Sequence, residues 1–193
     1  MIPRLLIITG TSGVGKSTMS AKLAASSGFS KTAATDTVRE VLRTQFSISE
    51  HPALHRSSFE DAGGTAVEDW METVDVVSEG VQAVIDRARK KGLDILLEGV
   101  HFFPNREVIE SWKRSGGSAI GVVLYVQDEV RHRNMISNRE KHNGKKVGHY
   151  LENIERIRGI QEEMIESGLQ SDWLIIDPTK EVDSVGIISN SFN

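Results

Sequence analysis

One octapeptide near the start of the chain constrains the fold more than any other sequence feature. Residues 10–17 read Gly-Thr-Ser-Gly-Val-Gly-Lys-Ser, a complete G-x-x-x-x-G-K-S pattern. An apolar run, Leu5 to Ile8, precedes the octapeptide, and a helical pattern that includes Leu23 follows it. This strand–loop–helix context is what the pattern needs in order to turn backbone N–H groups toward phosphate oxygens. The sequence therefore predicts a loop that binds a nucleoside triphosphate.

Two side chains of this loop have specific predicted roles. Lys16 can reach the β- and γ-phosphates, and the hydroxyl of Ser17 can bind Mg²⁺. The remaining contacts come from the backbone, which the glycines leave free to fold closely around the phosphates. The predicted nucleotide-contacting residues are Gly10, Thr11, Ser12, Gly13, Val14, Gly15, Lys16, Ser17 and Thr18.

Strand-length and helix-length apolar patterns alternate along the rest of the chain. Short runs that are apolar on both faces are typical of parallel strands covered by helices. Helical spacing of apolar residues runs from Val67 to Ala88, before Gly92, and from Leu151 to Ile165, where we expect the helix to end at Gly168. The strand candidates after the first are 95–97, 120–126, 174–176 and, more weakly, 31–35. The alternation predicts a doubly wound α/β fold in one domain over residues 1–193.

Two polar intervals interrupt this alternation. They span Phe46 to Gly64 and Gln127 to Gly148. Loops of this length in a compact α/β domain often cover a ligand. We expect the first interval to be a substrate-covering insertion and the second to be a lid.

The charge balance and the absence of cysteine exclude several classes of protein. Acidic residues outnumber basic ones by 27 to 23, so the chain offers no general attraction to nucleic-acid phosphates. With no cysteine, disulfides and thiolate metal sites are excluded. The apolar run at the start, Leu5 to Ile8, is too short for a signal sequence or a membrane span. We expect a cytoplasmic protein without a nucleic-acid or membrane partner, and a homodimer stays open.

Acidic residues follow two of the predicted strands. Ligands of open α/β sheets lie outside the carboxyl ends of the strands, which is where Asp36 and Glu98 occur. Phosphoryl transfer uses one carboxylate near Mg²⁺ and often a second beside the acceptor hydroxyl. We assign Glu98 to the metal side and Asp36 to the acceptor, although Asp36 could equally be an N-cap. Asp177 also follows a strand, and there we expect a structural or base-adjacent loop.

Basic residues near these positions could bind the acceptor or close over the nucleotide. Arg39 lies one helical turn after Asp36, His101 follows Glu98, and Arg56 lies in the first polar interval next to His55. The second interval carries Arg131, Arg133 and Arg139. Arginines on a closing segment would neutralise charge on the transferred phosphoryl group and exclude water. Each arginine, taken alone, could equally be a solvated surface residue.

Other classes of nucleotide-binding protein fit less well. A GTPase needs a guanine-reading N-K-x-D sequence, and the chain contains no Asn-Lys pair. A motor or an AAA-type ATPase would normally be longer. The residues therefore favour a kinase for a small molecule or a nucleotide, with a non-catalytic nucleotide sensor as the alternative.

Five segments together resemble the archaeal 2-phosphoglycerate kinase family. Besides the phosphate loop through Thr18, they are Thr-Asp-Thr-Val-Arg-Glu-Val-Leu-Arg at 35–43, Pro-Ala-Leu-His-Arg-Ser-Ser-Phe at 52–59, Leu-Glu-Gly-Val-His at 97–101 and Ile-Arg-Gly-Ile-Gln at 157–161. The phosphate loop is common to many families, whereas the 35–43 and 97–101 segments are much more specific. The resemblance covers most of the chain. It implies a three-layer P-loop kinase fold with a parallel five-stranded sheet in the order 2-3-1-4-5.

The resemblance also implies a reaction and its participants. ATP and Mg²⁺ would be the cofactors, and the acceptor would be a small phosphorylated carboxylic acid with a primary hydroxyl. Full-length members of the family carry an additional N-terminal domain, so this shorter chain looks more like the short branch that acts on mevalonate 3-phosphate than like the enzymes for 2-phosphoglycerate. The expected catalytic residues are Lys16, Asp36, Arg131, Arg133 and Arg139. The expected acceptor-binding residues are Asp36, Arg39, His55, Arg56, Glu98 and His101, with Ser17 and Glu98 at the metal.

Overall fold

A computed structural model describes residues 2–143 and 147–192, with the side chains of 2–138 and 148–192. The strands are β1 (Arg4–Thr9), β2 (Thr32–Ala34), β3 (Ile95–Gly99), β4 (Ser118–Leu124) and β5 (Leu174–Ile176). The helices are α1 (Lys16–Ser27), α2 (Thr35–Arg43), α3 (Ala66–Lys91), α4 (Arg106–Arg114), α5 (Glu129–Asn143), α6 (Val147–Glu152), α7 (Ile154–Gln170) and α8 (Ser184–Asn190). A short 3₁₀ turn, Pro52–His55, lies between α2 and α3.

The five strands form one parallel sheet in the order β2-β3-β1-β4-β5, as predicted. Ile8 of β1 and Ala34 of β2 both pair with Glu98 of β3. The carboxyl ends of these three strands therefore lie side by side. This register places the loops that leave β1, β2 and β3 at one edge of the sheet.

Two layers of helices bury the two faces of the sheet. On one face, Leu5, Ile7 and Leu97 pack against apolar residues of α3, α4 and α7. On the other face, Leu6 and Ile8 pack against α1 and α8. Strands that are apolar on both sides are what a sheet covered on both faces requires. The observed fold is the three-layer α/β fold that the sequence predicts.

The two long helices begin and end for different reasons. Thr65 and Glu68 form a capping box at the start of α3, and Gly92 ends that helix in the left-handed conformation. The expected end of α7 at Gly168 is wrong, because the helix continues to Gln170. A Cβ at Gly168 would lie 2.8 Å from both Val123 and Ile175. This glycine allows α7 to approach the sheet closely and does not end the helix.

The first polar interval, 46–64, is held against α3 and α7. Asp69 of α3 accepts hydrogen bonds from the backbone N–H groups of Ala62 and Gly64, and it pairs with Arg156 of α7. Arg156 also donates to the carbonyl oxygen of Phe59. The buried Asp69 and the half-buried Arg156 therefore hold the end of the interval in place.

The second polar interval is mostly helical. Helix α5 and the start of α6 account for most of 127–148. Residues 144–146, which the predicted lid includes, lie outside the described residues. Within the described part of the chain, no helix is long and apolar enough to cross a membrane.

Candidate active site

The loop after β1 adopts a conformation that favours glycine, as Gly10 and Gly13 illustrate. Gly10 has φ 152°, and a Cβ there would lie 2.4 Å from the carbonyl oxygen of Leu124. Gly13 has φ 84°, in the left-handed region that favours glycine. Helix α1 then begins at Lys16, so its N-terminus faces the loop. This is the arrangement in which backbone N–H groups and the helix dipole bind an anion.

The two functional side chains of the loop lie at its end. Lys16 Nζ donates to the carbonyl oxygen of Thr11, 2.8 Å away, and so curls back across the loop. Ser17 Oγ donates to Glu98 Oε1 over 3.1 Å. A hydroxyl and a carboxylate oxygen are both ligands that Mg²⁺ accepts, and such sites usually complete the coordination with phosphate oxygens and water. The residues present therefore fit Mg²⁺ bound together with a nucleotide.

Glu98 and the turn after it are tied to β1. The Thr9 hydroxyl, fully buried, donates to the carbonyl oxygens of Gly99 and Phe102. A Cβ at Gly99 would lie 1.9 Å from the hydroxyl oxygen of Thr35, so a larger residue could not be accommodated there. The ends of β1, β2 and β3 thus pack directly against one another. Thr9 has a positioning role that the sequence analysis missed, since no motif includes it.

Asp36 lies in the first turn of α2, with its side chain 63% exposed. The alternative interpretation of Asp36 as an N-cap is wrong, because the N-cap of α2 is Ala34. Asp36 Oδ1 is 3.4 Å from His101 Nδ1. Asp36 therefore projects toward solvent at the carboxyl edge of the sheet with a histidine behind it.

His101 is 1% exposed and lies beneath Asp36, so it supports the site from within the protein. Its Nδ1 is also 3.3 Å from the Thr35 hydroxyl. Burial, together with the charges of Arg39 and Lys16, lowers the pKa of His101 to about 4, against the opposing effect of Asp36. The imidazole is therefore neutral at neutral pH.

Arg39 lies on the same side of α2 as Asp36. Its Nη1 donates to the carbonyl oxygen of Arg56 over 3.1 Å, which connects α2 to the 46–64 interval. Its Nε is buried and has no hydrogen-bond partner among the described residues. Its Nη2 lies 3.6 Å from Glu40 Oε1, too far for a hydrogen bond, so this nitrogen keeps donors for a ligand.

Two other predicted acceptor-binding residues face elsewhere. Arg56 donates through Nη1 and Nη2 to the carbonyl oxygen of Asp69 and pairs with Glu72 at 2.6 Å. His55 Nε2 donates to the carbonyl oxygen of Phe46. Both side chains hold the 46–64 interval together in this structure, and their contact with an acceptor stays a prediction.

Two of the predicted lid arginines, Arg131 and Arg133, make their contacts away from the phosphate loop. Arg131 Nη1 donates to the carbonyl oxygen of Thr179, and Arg133 pairs with Glu129 one turn earlier in α5. The side chain of Arg139 lies outside the described residues. A catalytic role for the first two would need α5 to move or their side chains to change rotamer.

Helix α5 contacts the phosphate loop through other residues. His132 Nε2 donates to the carbonyl oxygen of Ser12 over 2.8 Å, and a Cβ at Gly13 would lie 2.3 Å from Ile136 Cγ1. Neither residue belongs to a motif that predicts a functional site. The available signal was their i, i+4 spacing, which places them on one face of a helix.

Two adjoining cavities extend from the phosphate loop. One of about 360 Å³ is lined by Lys16, Ser17 and Asn138, and the other, of about 370 Å³, by Lys22, Pro178 and residues 181–185. The two share Gly15, Thr18 and Met135. The two cavities therefore lie next to each other at the N-terminus of α1.

Asp177 directly precedes Pro178, a residue that lines the second cavity. It is 3% exposed and accepts hydrogen bonds from the backbone of Gln127 and from the backbone and hydroxyl of Thr179. Although burial raises the pKa of this carboxyl, these hydrogen bonds lower it by more. Asp177 ties the loops after β4 and β5 together, which is the structural role expected of it.

Comparisons with known proteins agree with this fold. A model of the family described as "AAA domain" matches residues 6–159. The chain belongs to this AAA domain family.

Curated relatives of this chain carry the name of the family that the sequence resembles, 2-phosphoglycerate kinase. A "2-phosphoglycerate kinase" of Pyrococcus furiosus is 30% identical over 184 residues, which cover 91% of this chain and 59% of that protein. A protein of the same name from Methanococcus maripaludis is 27% identical and covers 90% of this chain and 59% of its own length. The predicted resemblance is confirmed. The chain spans about three fifths of the length of these relatives.

A solved structure supports the fold assignment of the AAA domain chain. Shikimate kinase from Aquifex aeolicus superimposes with a TM-score of 0.52 and 16% sequence identity. The match covers 97% of this chain and 94% of that one. At this identity the likeness supports the fold alone.

Proposed function

We propose that the protein is a kinase that transfers the γ-phosphoryl group of ATP to the primary hydroxyl of a small phosphorylated carboxylic acid. The observation that carries this proposal is the placement of two sets of groups on either side of Glu98. Lys16 and Ser17 follow β1 and Asp36 and Arg39 follow β2, the two strands that flank β3 and its residue Glu98. His101 follows β3 and lies against Asp36. A phosphoryl donor and an acceptor could therefore meet at the carboxyl edge of the sheet.

The chemistry assigned to these residues is mainly positioning and charge stabilisation. The backbone of residues 10–18 would bind the phosphates, and Lys16 would neutralise charge on the β- and γ-oxygens. Asp36 would orient the acceptor hydroxyl and take up its proton as the oxygen forms its bond to the γ-phosphorus, while the bond from that phosphorus to the β–γ bridging oxygen breaks. Ser17 and Glu98 would hold Mg²⁺, which would supply further positive charge at the phosphates.

Arg39 is the residue that we assign to the acceptor's anionic group. A planar guanidinium can donate two parallel hydrogen bonds to a carboxylate or a phosphate, which lysine cannot reproduce. Because Asp36 and Arg39 lie one turn apart on α2, they would fix the anion and the reactive hydroxyl relative to each other.

The names of the curated relatives support 2-phosphoglycerate as the acceptor. Mevalonate 3-phosphate carries the same three groups, a carboxylate, a phosphate and a primary hydroxyl, and stays the second candidate. This proposal includes two covering segments, a substrate-covering interval at 46–64 and a lid at 127–148. It also includes a single domain, a cytoplasmic location and the absence of a nucleic-acid partner.

The substitution Arg39→Lys tests the assignment of the acceptor side. We expect it to raise the acceptor KM by roughly tenfold to a hundredfold, because hydrogen bonds to charged groups contribute about 1.5–3 kcal/mol. The KM for ATP should stay within about twofold of the wild-type value. Arg43→Lys is the matched control, since Arg43 lies one turn later on α2 and pairs with the exposed Glu40. A rise in the ATP KM with an unchanged acceptor KM would contradict this assignment, because it would mean that Arg39 binds the nucleotide and not the acceptor.

A further inference from the structure

Helix α5 meets the phosphate loop because of the strand order. Strand β4 pairs with β1, so the segments that follow these strands leave the sheet next to each other. The segment after β1 is the phosphate loop, and the segment after β4 leads into α5. His132 lies one turn into α5 and is 120 residues from its partner Ser12. The contact is a product of topology, which explains why no local motif reveals it.

The contact consists of two residues on one face of α5. His132 is fully buried, and its Nε2 lies 2.8 Å from the carbonyl oxygen of Ser12. Because a carbonyl oxygen can only accept, the hydrogen of this bond is on Nε2. One turn later, Ile136 fills the space above Gly13. Successive residues of the phosphate loop are thus held by successive turns of the same helix.

Phosphate binding gives this hydrogen bond a function. When the N–H groups of a loop converge on an anion, the carbonyl groups of the same peptides point away from the anion and need partners of their own. Lys16 serves the carbonyl of Thr11, and His132 serves that of Ser12. Loss of the second partner would allow the Ser12–Gly13 peptide to rotate and would turn its N–H away from the phosphates.

The surroundings of His132 keep the imidazole in the form that this bond requires. Burial lowers the pKa of His132, and the nearby charges of Arg158 and Lys16 lower it further, against the hydrogen bond to Ser12 and the charge of Glu129. The ring is therefore neutral at neutral pH. Its single N–H is on Nε2, and Nδ1 has no hydrogen-bond partner among the described residues.

We propose that His132 is a positioning residue of the nucleotide site, which holds the Ser12 carbonyl so that the phosphate loop is preorganised for a nucleoside di- or triphosphate. This inference rests on the proposed nucleotide binding and adds a residue to it. His132 acts through the loop backbone and need not touch the nucleotide. Its effect should therefore depend on the β-phosphate and should not extend to the acceptor.

The test compares two amides at position 132 in the full chain. Glutamine can place its N–H near the position of Nε2, whereas the shorter asparagine places its N–H near that of Nδ1 and cannot reach Ser12. Titration calorimetry with ADP should give a Kd within about threefold of wild type for His132→Gln. For His132→Asn and His132→Leu we expect a Kd raised by roughly tenfold to a hundredfold, since each leaves a buried carbonyl without its donor. Adenosine binding should change less than threefold in all three variants.

Asn134→Leu changes an exposed residue of α5 and should leave the Kd for ADP unchanged. Equal ADP affinity in His132→Asn and His132→Gln would overturn the inference, and so would equal losses for ADP and adenosine. ADP binding by the wild type without turnover of any acceptor would overturn the proposed function alone. No ADP binding by the wild type would overturn both.

Discussion

Asp69 is a buried charge that holds the end of the 46–64 interval in place. Its side chain is 3% exposed and lies between the N–H groups of Ala62 and Gly64 and the guanidinium of Arg156. Asp69→Asn keeps the size of the side chain and removes its charge. The amide can still accept one of these hydrogen bonds, but its NH₂ group must face a donor. The substitution therefore leaves the half-buried Arg156 without its principal partner.

The magnitude follows from the exposure of the two groups. Removal of one partner of a buried ion pair costs about 3–5 kcal/mol. Because Arg156 is 22% exposed and keeps carbonyl contacts to Phe59, Gly64 and Thr65, we expect the lower end, about 3 kcal/mol. For a chain of this size, each kcal/mol lowers Tm by roughly 2–4 °C, so the expected decrease is about 6–12 °C.

Urea denaturation and thermal unfolding at neutral pH measure this effect directly. Asp61→Asn is the matched control, since Asp61 is 70% exposed and lies 3.9 Å from Arg156 Nη1. An exposed pair of this kind contributes at most about 1 kcal/mol. If the free energy of unfolding of Asp69→Asn lies within about 1 kcal/mol of the wild-type value, the interval is not held by this charge.

The pH dependence of the free energy of unfolding gives a second test of the role of Asp69. Burial raises the pKa of Asp69, but the hydrogen bonds from Ala62, Arg156 and Gly64 lower it by more, so the net pKa lies below the ordinary value of 3.8. A carboxyl with a depressed folded-state pKa stabilises the fold above its unfolded pKa, and this stability is lost as the pH falls through the folded pKa. The difference in stability between wild type and Asp69→Asn should therefore shrink below about pH 4.

Two further predictions concern the nucleotide site. Lys16→Met should fold normally and lose roughly a hundredfold or more in kcat, because it removes a charge that stabilises the transferring phosphoryl group; unchanged turnover in the folded variant would contradict the mechanism. If 127–148 is a lid, amide hydrogen exchange in the part of α5 beyond Ile136 should slow when ATP and acceptor are both bound, and equal exchange with and without ligands would indicate a fixed helix.

Most of the fold could be predicted because its signals are local. The apolar runs that became β1, β3, β4 and β5 are apolar on both faces, and the phosphate loop identifies the strand and helix beside it. Gly168 was misread because a glycine looks the same in sequence whether it ends a helix or lets one approach a sheet. Only the contacts with Val123 and Ile175 distinguish the two.

The site was predictable where residues directly follow strands and unpredictable where distant segments meet. Ser17 and Glu98 were predicted to share a metal, and they lie 3.1 Å apart because β1 and β3 are neighbours. The contact of His132 with Ser12 depends on the pairing of β4 with β1, which no local pattern encodes. The prediction for Arg131 rests on its grouping with Arg133 and Arg139 in one polar interval, whereas its rotamer toward Thr179 is set by tertiary structure.

The central claim is that the groups on the two sides of Glu98 bind ATP and a phosphorylated carboxylic acid for phosphoryl transfer. The most direct measurement is ADP release from ATP and Mg²⁺ in the presence of 2-phosphoglycerate, mevalonate 3-phosphate, mevalonate or a nucleoside monophosphate, with the product identified by ³¹P NMR. We predict that only the acceptors with both a carboxylate and a phosphate stimulate turnover, 2-phosphoglycerate first among them, and that a new phosphate ester forms on the primary hydroxyl. Stimulation by nucleoside monophosphates alone, or tight ATP binding without turnover of any acceptor, would contradict the account.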